Sequence, residues 1–563
     1  MDYKIEIANI LDKLDLNIPK EDLVKSIETP PNKEMGDFAF PCFRLSKQLR
    51  KSPVEIAQEL SKKIESPFFK EIKPTGPYLN FYLDQAKFNE IVLKKVISEK
   101  EDYGSSNIGK DKNIIVEYSS TNIAKPFHIG HIRSTVIGDS LKRIYKFLGY
   151  NVIAINYLGD YGTQFGVLLS AFEKWGDKEK IDANPIKELL NLYVRHTKES
   201  EEKPELMDEA RAWFKKLEEK DEFAVKTWSW FKEISLKEFN RVYDLLGITF
   251  DSYDGEFYHS QFINEVLDEL EEKKLLKDSE GAKVIDLGKD NPPAIIVKSN
   301  GSSTYIVRDI ATARYRKQKF NFDKNIYVVA TQQNLHFKSL FEILDKMGYE
   351  WAKDCIHVQF GMVSLKDGTL STRKGQVVFL EDVLNKAIEK TKEIIEQRNP
   401  NLENKDKIAK EIGIGAVKFQ ELFNTRIKDY VFDWDQLLNF EGETGPYVQY
   451  AHARANAILE KFNFELDENI DFSLLKEEQE KDLIKYIYDL PEIILSAKDK
   501  LEPSIITRYV TEIAQKFNSF YNNVNIMNSS DEEKKARLLL VYATKVSIAN
   551  LLSLLGIYAP NKM

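Results

Sequence analysis

The period of the hydrophobic pattern changes twice along the chain, and the changes divide it. Over residues 1–108 helical and strand patterns are mixed. Residues 52–64, SPVEIAQELSKKI, carry apolar positions at helical spacing behind a Ser N-cap, with Pro at the first helical position. Residues 76–84, GPYLNFYLD, alternate like a half-buried strand. The stretch LVKSIETPPNKEMGDFAFPCFRLSKQL is punctuated by Pro and Gly before it turns helical, and EDYGSSNIGKDKN reads as a Gly- and Ser-bearing linker. Beyond the linker, apolar runs of strand length alternate with amphipathic helices. NIIVEYS, NVIAINYLG, AIIVKS, NIYVVA and IHVQFGMV are the strand candidates; HIRSTVIGDSLKRIYKFLG, TQFGVLLSAFEKWG and FKSLFEILDKMG are the helices. This alternation predicts an α/β fold with a doubly wound parallel sheet. A charged, mainly helical insertion interrupts it at about 177–290. From about 380 onward strand signals nearly vanish and long amphipathic helices predict an all-α bundle.

The expected organisation is an α+β segment over 1–108, an α/β domain over 109–380, a helical connector over 381–440 and a helical domain over 441–563. At roughly 150 residues per domain, 563 residues accommodate three or four. The two cysteines, Cys42 and Cys355, are far apart, which argues against a disulfide framework and fits a reducing, cytoplasmic setting. No Cys/His cluster has zinc-site spacing, so no tightly bound metal is expected. The start MDYKIEIANILDKL resembles neither a signal nor a transit peptide. No apolar run approaches the roughly 20 residues of a membrane span. The formal charge of −9 argues mildly against a nucleic-acid binder, but RNA docking needs only a local basic face.

Chemistry concentrates in residues 117–139, EYSSTNIAKPFHIGHIRSTVIGD, where a strand ends, a loop follows and a helix begins. Ligands of open α/β sheets bind at such strand ends. His128 and His131 share one face of the first helical turn, Gly130 allows close approach to the backbone, and the helix N-terminus attracts phosphate. Taken alone, the same residues are also two ordinary helix-start histidines.

The HIGH string His128–Ile129–Gly130–His131 resembles the ATP-binding signature of class I aminoacyl-tRNA synthetases. SSTNIAKPFHIGHIRST, YLGDYGTQFG, TYIVRDIATA, STRKGQVVFLEDVL, GPYVQYAHAR and the terminal LLGIYAPNKM resemble the arginyl-tRNA synthetase family specifically. The resemblance covers nearly the whole chain. It implies a Rossmann-type catalytic domain, an N-terminal domain that touches the corner of the tRNA, and a C-terminal helical domain that reads the anticodon. ATP with Mg²⁺, L-arginine and tRNA(Arg) are the implied substrates, and a monomer is expected.

The resemblance also assigns roles. His128 and His131 would donate to ATP phosphate, with Phe127, Ile129, Gly130 and Gly375 around the nucleotide. Ser371, Thr372, Arg373 and Lys374, between Gly368 and Gly375, match the KMSKS loop; alone they read as a solvated basic turn. Thr369 and Thr372 stand where that motif offers lysines, which makes Lys125 and Lys374 the candidate substitutes. Glu117, Tyr305 and Asp309 match the side-chain pocket, since bidentate carboxylates suit a guanidinium. Asp309 is also readable as a helix N-cap, a role that need not exclude the other. Asn122 and Gln333 match groups that hold the amino acid's backbone ends, and Ser119 is a weaker candidate. Tyr78 and Asn80 match a contact with an exposed tRNA base, against an ordinary half-solvated strand. Tyr447, Tyr450, His452 and Arg454 offer rings and charge for the anticodon, against plain helix packing.

A synthetase for another amino acid is disfavoured by the paired acids and by the lack of zinc ligands or room for an editing domain. A non-catalytic RNA-binding paralogue would be expected to lose the histidines or the basic loop. A small-molecule adenylyltransferase would not need two flanking domains.

Overall fold

The computed structural model describes residues 2–14, 16–288, 291–365, 378–467 and 469–563. Contacts divide the chain into two units. One comprises Met1–Tyr103, Ala451–Pro491 and Glu512–Asn550; the other comprises Gly104–Tyr450, Glu492–Thr511 and Leu551–Met563.

In the first unit, β1 (Phe38–Pro41), β2 (Phe69–Thr75) and β3 (Tyr78–Leu83) form an antiparallel sheet with β3 in the middle. The expected helix after Ser52 is Pro53–Lys63. Its capping box is complete: the Ser52 side chain accepts from the Glu55 amide and Glu55 reaches back to the Ser52 amide. Tyr3 is fully buried against Phe38 and Phe88, and its amide donates to the Tyr488 hydroxyl at 2.8 Å. Asn89 Nδ2 donates to the carbonyls of Phe472 and Leu475. The N-terminal segment and much of the helical bundle, distant in sequence, therefore share one core.

The second unit holds a four-stranded parallel sheet of β4 (Asn113–Glu117), β5 (Asn151–Ile155), β9 (Lys324–Ala330) and β10 (Cys355–Phe360), in the order β10-β9-β4-β5. Ile114, Ile115, Val116, Ile326, Val328 and Val358 are fully buried, as expected for strands covered on both faces. Three expectations are corrected. AIIVKS supplies β8 (Ala294–Val297), but it lies in a separate antiparallel sheet with β6 (Lys277–Ser279) and β7 (Ala282–Ile285). An apolar run of four residues fixes a strand and not its partner. IHVQFGMV is split at Gly361 into β10 and β11 (Val363–Leu365), and β11 pairs in parallel with β12 (Tyr430–Phe432), inside a region expected to be helical. Among the described residues one helix, Asp531–Leu554, is long and apolar enough by composition to cross a membrane, yet most of its apolar stretch is buried within the protein, as in a core helix.

Candidate active site

All strands of the parallel sheet end on one edge, so the segments after β4, β5, β9 and β10 gather there. The chain leaves β4 for β5 on one side and β9 for β10 on the other, which puts the topological switch between β4 and β9.

The loop after β4 is strained. Ser119, Ser120 and Ala124 have φ of 69°, 46° and 59°, left-handed conformations that cost on the order of 1–3 kcal/mol each in non-glycine residues. Buried hydroxyls hold it. The Ser119 amide donates to Ser134 Oγ, and the Ser119 hydroxyl lies 2.9 Å from Thr135 Oγ1 and 2.8 Å from the Tyr243 hydroxyl. The Ala124 amide donates to Ser235 Oγ. Ser119 is buried, so its hydroxyl braces the loop from beneath.

The loop runs through a short turn, Ile129–His131, into the helix Ile132–Phe147. His128 Nδ1 accepts from the Gly130 amide at 3.1 Å. A Cβ on Gly130 would stand 2.8 Å from the His128 ring, so glycine is what lets the ring fold back. His131 Nδ1 lies 3.2 Å from both the His128 amide and the His128 carbonyl oxygen, so either tautomer has a partner there, and the two ring centroids are 3.9 Å apart. A neutral imidazole that accepts at Nδ1 carries its proton on Nε2 and donates from there. Burial lowers the pKa of both rings, that of His131 to about 3, with His128 adding to the effect. Phe127 and Ile129 are buried, with the Phe127 ring 5.4 Å from His131. Lys125 is half-buried, and burial lowers its pKa.

The signature is stitched to the far side of the expected KMSKS loop. The Ile129 amide donates to Val378 O, the Leu380 amide to Phe127 O, and His128 bridges to Phe379. Ser371, Thr372, Arg373, Lys374 and Gly375 lie outside the described residues, as do Gly368 and Thr369. On the near side, Arg133 of the signature helix donates to the carbonyls of Gly361 and Lys428 and faces Glu421 at 3.6 Å. Both ends of the loop are thus tied to the segment that begins with the histidines.

Charged groups gather around the ends of β4 and β9. Glu117, buried at the end of β4, meets the Arg316 guanidinium at 2.5 Å. Arg316 is itself fully buried, its guanidinium 5.4 Å from the Tyr157 ring and 5.5 Å from that of Tyr327. Burial pushes the Glu117 carboxyl up, and the charge of Arg316 opposes it. The helix Tyr305–Phe320 has Thr304 as its N-cap, so Asp309 sits a full turn inside and the capping alternative is excluded. Asp309 is half-buried and bonds His336 Nε2 at 2.6 Å. Burial opposes the imidazolium of His336, but the hydrogen bond and charge of Asp309 outweigh it and its pKa is raised. Tyr305 is 66% exposed with its ring over Arg308; that guanidinium also lies over Tyr161 and faces Glu256 at 3.9 Å. Burial pushes Glu256 up to about 7 against the pull of Arg308. Asn122 bridges to Gly159, where a Cβ would stand 2.0 Å from Asn122 Oδ1, so the YLGDYG segment needs glycine there. Gln333 is exposed in the turn after β9.

Sequence reasoning missed Arg316, Arg308, Glu256 and His336. Arg316 had a faint signal, since it follows Asp309 by seven residues on the same helix. His336 had none.

In the first unit, Tyr78 is half-buried with its ring edge-on to Phe43 at 5.6 Å. Asn80 is buried with its Nδ2 unpartnered, so it is not the solvated strand residue of the alternative reading. On the helix Gly445–Lys461, Tyr450 is exposed, Tyr447 half-buried and His452 buried, while Arg454 donates to Asn518 and lies over the Tyr521 ring.

The chain matches the family model of the class I (R) tRNA synthetase catalytic domain over residues 92–434. It matches the DALR anticodon binding domain over 448–563 and the arginyl-tRNA synthetase N-terminal domain over 1–83. It is 55% identical to the arginine–tRNA ligases of Halothermothrix orenii and Clostridioides difficile, with all of each chain covered. A solved arginyl-tRNA synthetase from Thermus thermophilus superposes with a TM-score of 0.80 at 26% identity, over 99% of both chains. An edge of neutral histidines and paired acids in a chain that follows these proteins from end to end leaves one assignment: the protein belongs to the arginyl-tRNA synthetase family of class I tRNA synthetases.

Proposed function

We propose that the chain activates L-arginine with ATP to arginyl-adenylate and pyrophosphate, then transfers arginine to the 3′ end of tRNA(Arg). Neither step needs a protein nucleophile; positioning and charge stabilisation supply the rate. His128, with Nδ1 accepting from Gly130 and Nε2–H available, donates to phosphate oxygens as charge builds on them, and His131 does so in its Nε2–H tautomer. Lys125 supplies the cation that Thr369 and Thr372 lack, and Arg373 and Lys374 hold the leaving pyrophosphate. Magnesium arrives with ATP as part of that substrate. Asp309 selects the guanidinium under the Tyr305 ring, Glu117 acts behind it through its pair with Arg316, and Asn122 and Gln333 hold the backbone ends of the amino acid. Residues 1–108 dock the tRNA through Tyr78, and 441–563 read the anticodon through Tyr447, Tyr450 and Arg454; Asn80 and His452, being buried, support these surfaces from within. The enzyme works as a cytoplasmic monomer, a setting that suits its two free, buried cysteines.

The observation that carries this reading is the pair of imidazoles folded back on the backbone at a helix start, on the same sheet edge as Asp309. ATP–pyrophosphate exchange across the amino acids, with and without tRNA, tests it. Arginine alone should support exchange, and only with cognate tRNA present. Comparable exchange with lysine or citrulline overturns the pocket assignment.

A further inference from the structure

Three acids stand at the arginine end, and each already has a cationic partner: Glu117 has Arg316, Glu256 has Arg308, and Asp309 has His336. Two of these partners are guanidinium groups, which keep their proton at any pH an enzyme meets. Arg316 is also fully buried and Arg308 nearly so, hence neither is placed to leave. His336 differs on both counts. Its side chain is about a quarter exposed, and it is the one partner able to give up its charge without moving.

A guanidinium that settles on Asp309 adds a second cation to a carboxylate already bonded to His336 Nε2 at 2.6 Å. Two cations on one half-buried acid repel, and the imidazolium relieves the repulsion by losing its proton. We infer that arginine enters the site by exchange with the proton on His336. The proton leaves Nε2 or Nδ1 for solvent, the neutral ring stays, and the guanidinium takes over the charge of Asp309. Charge balances: imidazolium, carboxylate and arginine give neutral imidazole, a guanidinium–carboxylate pair and one released proton.

The surroundings favour this direction. Across from His336, on β10, His357 bonds the carbonyl of Val329 and has its own pKa lowered by burial, so it adds no fixed charge there. Among the described residues Asp309 is the acid that acts on His336, and its bond and charge outweigh burial to raise the ring's pKa. The free site therefore holds a proton that the arginine-loaded site does not. Glu117 stays with Arg316, while Glu256, raised by burial to about 7 against the pull of Arg308, titrates in the same range, so its proton has to be removed from the count.

The inference rests on Asp309 accepting the guanidinium, and the test separates the two ideas. Arginine is titrated into the full-length enzyme by calorimetry, in two buffers of different ionisation enthalpy, from pH 6 to pH 9. Release approaching one proton per arginine is expected at the acid end and near zero at pH 9. The Kd for arginine should tighten with rising pH, approaching tenfold per unit while His336 is protonated in the free site. In a Glu256→Gln background, which removes that acid's own titration, His336→Gln should abolish the buffer dependence and flatten the pH profile while arginine still binds. In that background, heats independent of buffer with His336 present, or proton release that survives in His336→Gln, overturn the exchange. Asp309→Asn reports on the underlying reading: unchanged arginine affinity in that variant removes both, whereas weakened affinity without proton release in the wild type removes the exchange alone.

Discussion

At the nucleotide end of the site, the groups assigned to ATP are neutral imidazoles oriented by backbone atoms within three residues of themselves. At the amino-acid end the groups are charged, and each is held by a side chain from another part of the chain: Glu117 by Arg316, Asp309 by His336. The contrast follows from what each end must do. Donors aimed at developing phosphate charge need fixed direction and no charge of their own to desolvate. Acids that select a guanidinium must be kept ionised while partly out of water, and burial works against them unless a cation stands near. One end is therefore local and robust, and the other is distributed and sensitive to residues that never touch substrate.

The sharpest way to break this contrast is to remove a partner instead of an acid. Arg316→Met leaves Glu117 buried and unpaired, and breaking a buried pair from one side costs about 3–5 kcal/mol. Urea unfolding should show that loss, and the double variant Arg316→Met/Glu117→Gln should recover a good part of it. If the single variant is as stable as the wild type, Arg316 does not hold the acid.

On the nucleotide side the expected effect is kinetic. Lys125→Met should lower turnover by roughly 10²-fold, near 3 kcal/mol of lost stabilisation of the transferring phosphate. The KM for arginine should stay put, because Lys125 belongs to the other end. Near wild-type pyrophosphate exchange would pass the role to Arg373 and Lys374. Smaller again is docking: Tyr78→Ala should weaken tRNA binding by about 1–3 kcal/mol through lost stacking, with the KM values for ATP and arginine unchanged. A drop in turnover with unaltered tRNA KM would remove Tyr78 from the interface.

The same contrast explains what could be read from the sequence. The local geometry of His128, Gly130 and His131 was legible because what their proposed role needs lies within four residues. Glu117 and Asp309 were legible as acids at strand and helix ends, but their partners were not: no periodicity links position 117 to 316 or 309 to 336. Ser119 was read as facing a ligand because nothing nearby in sequence announces Tyr243 and Thr135 around its hydroxyl. In the fold, the long buried strands and the capped helix at Ser52 were readable from local pattern. The three-residue β12 was too short to register, and β8 carried an apolar run that says strand without saying which sheet.

The smallest expected effect concerns acid stability, and its sign is set by which state binds more protons. His259 is buried, and burial, then the charge of Arg316, lowers its pKa from 6.5 to about 4. Between those values the unfolded chain binds a proton that the folded chain refuses, so this group's contribution is present above pH 6.5 and is lost as pH falls towards 4. Glu256 and Glu421 act the other way. Burial raises each from 4.5 to about 7, so the folded chain keeps protons that the unfolded chain has shed, and their contribution fades as pH rises through that window. The total profile mixes both signs, so the histidine is best isolated by difference. Between pH 7.5 and 5.5 the stability of the wild type relative to His259→Gln should fall by about 1.4 kcal/mol, the value for a group titrating between the two pKa values. A difference constant with pH would mean that His259 is free to protonate in the folded protein, and that the field of Arg316 is spent on Glu117 alone.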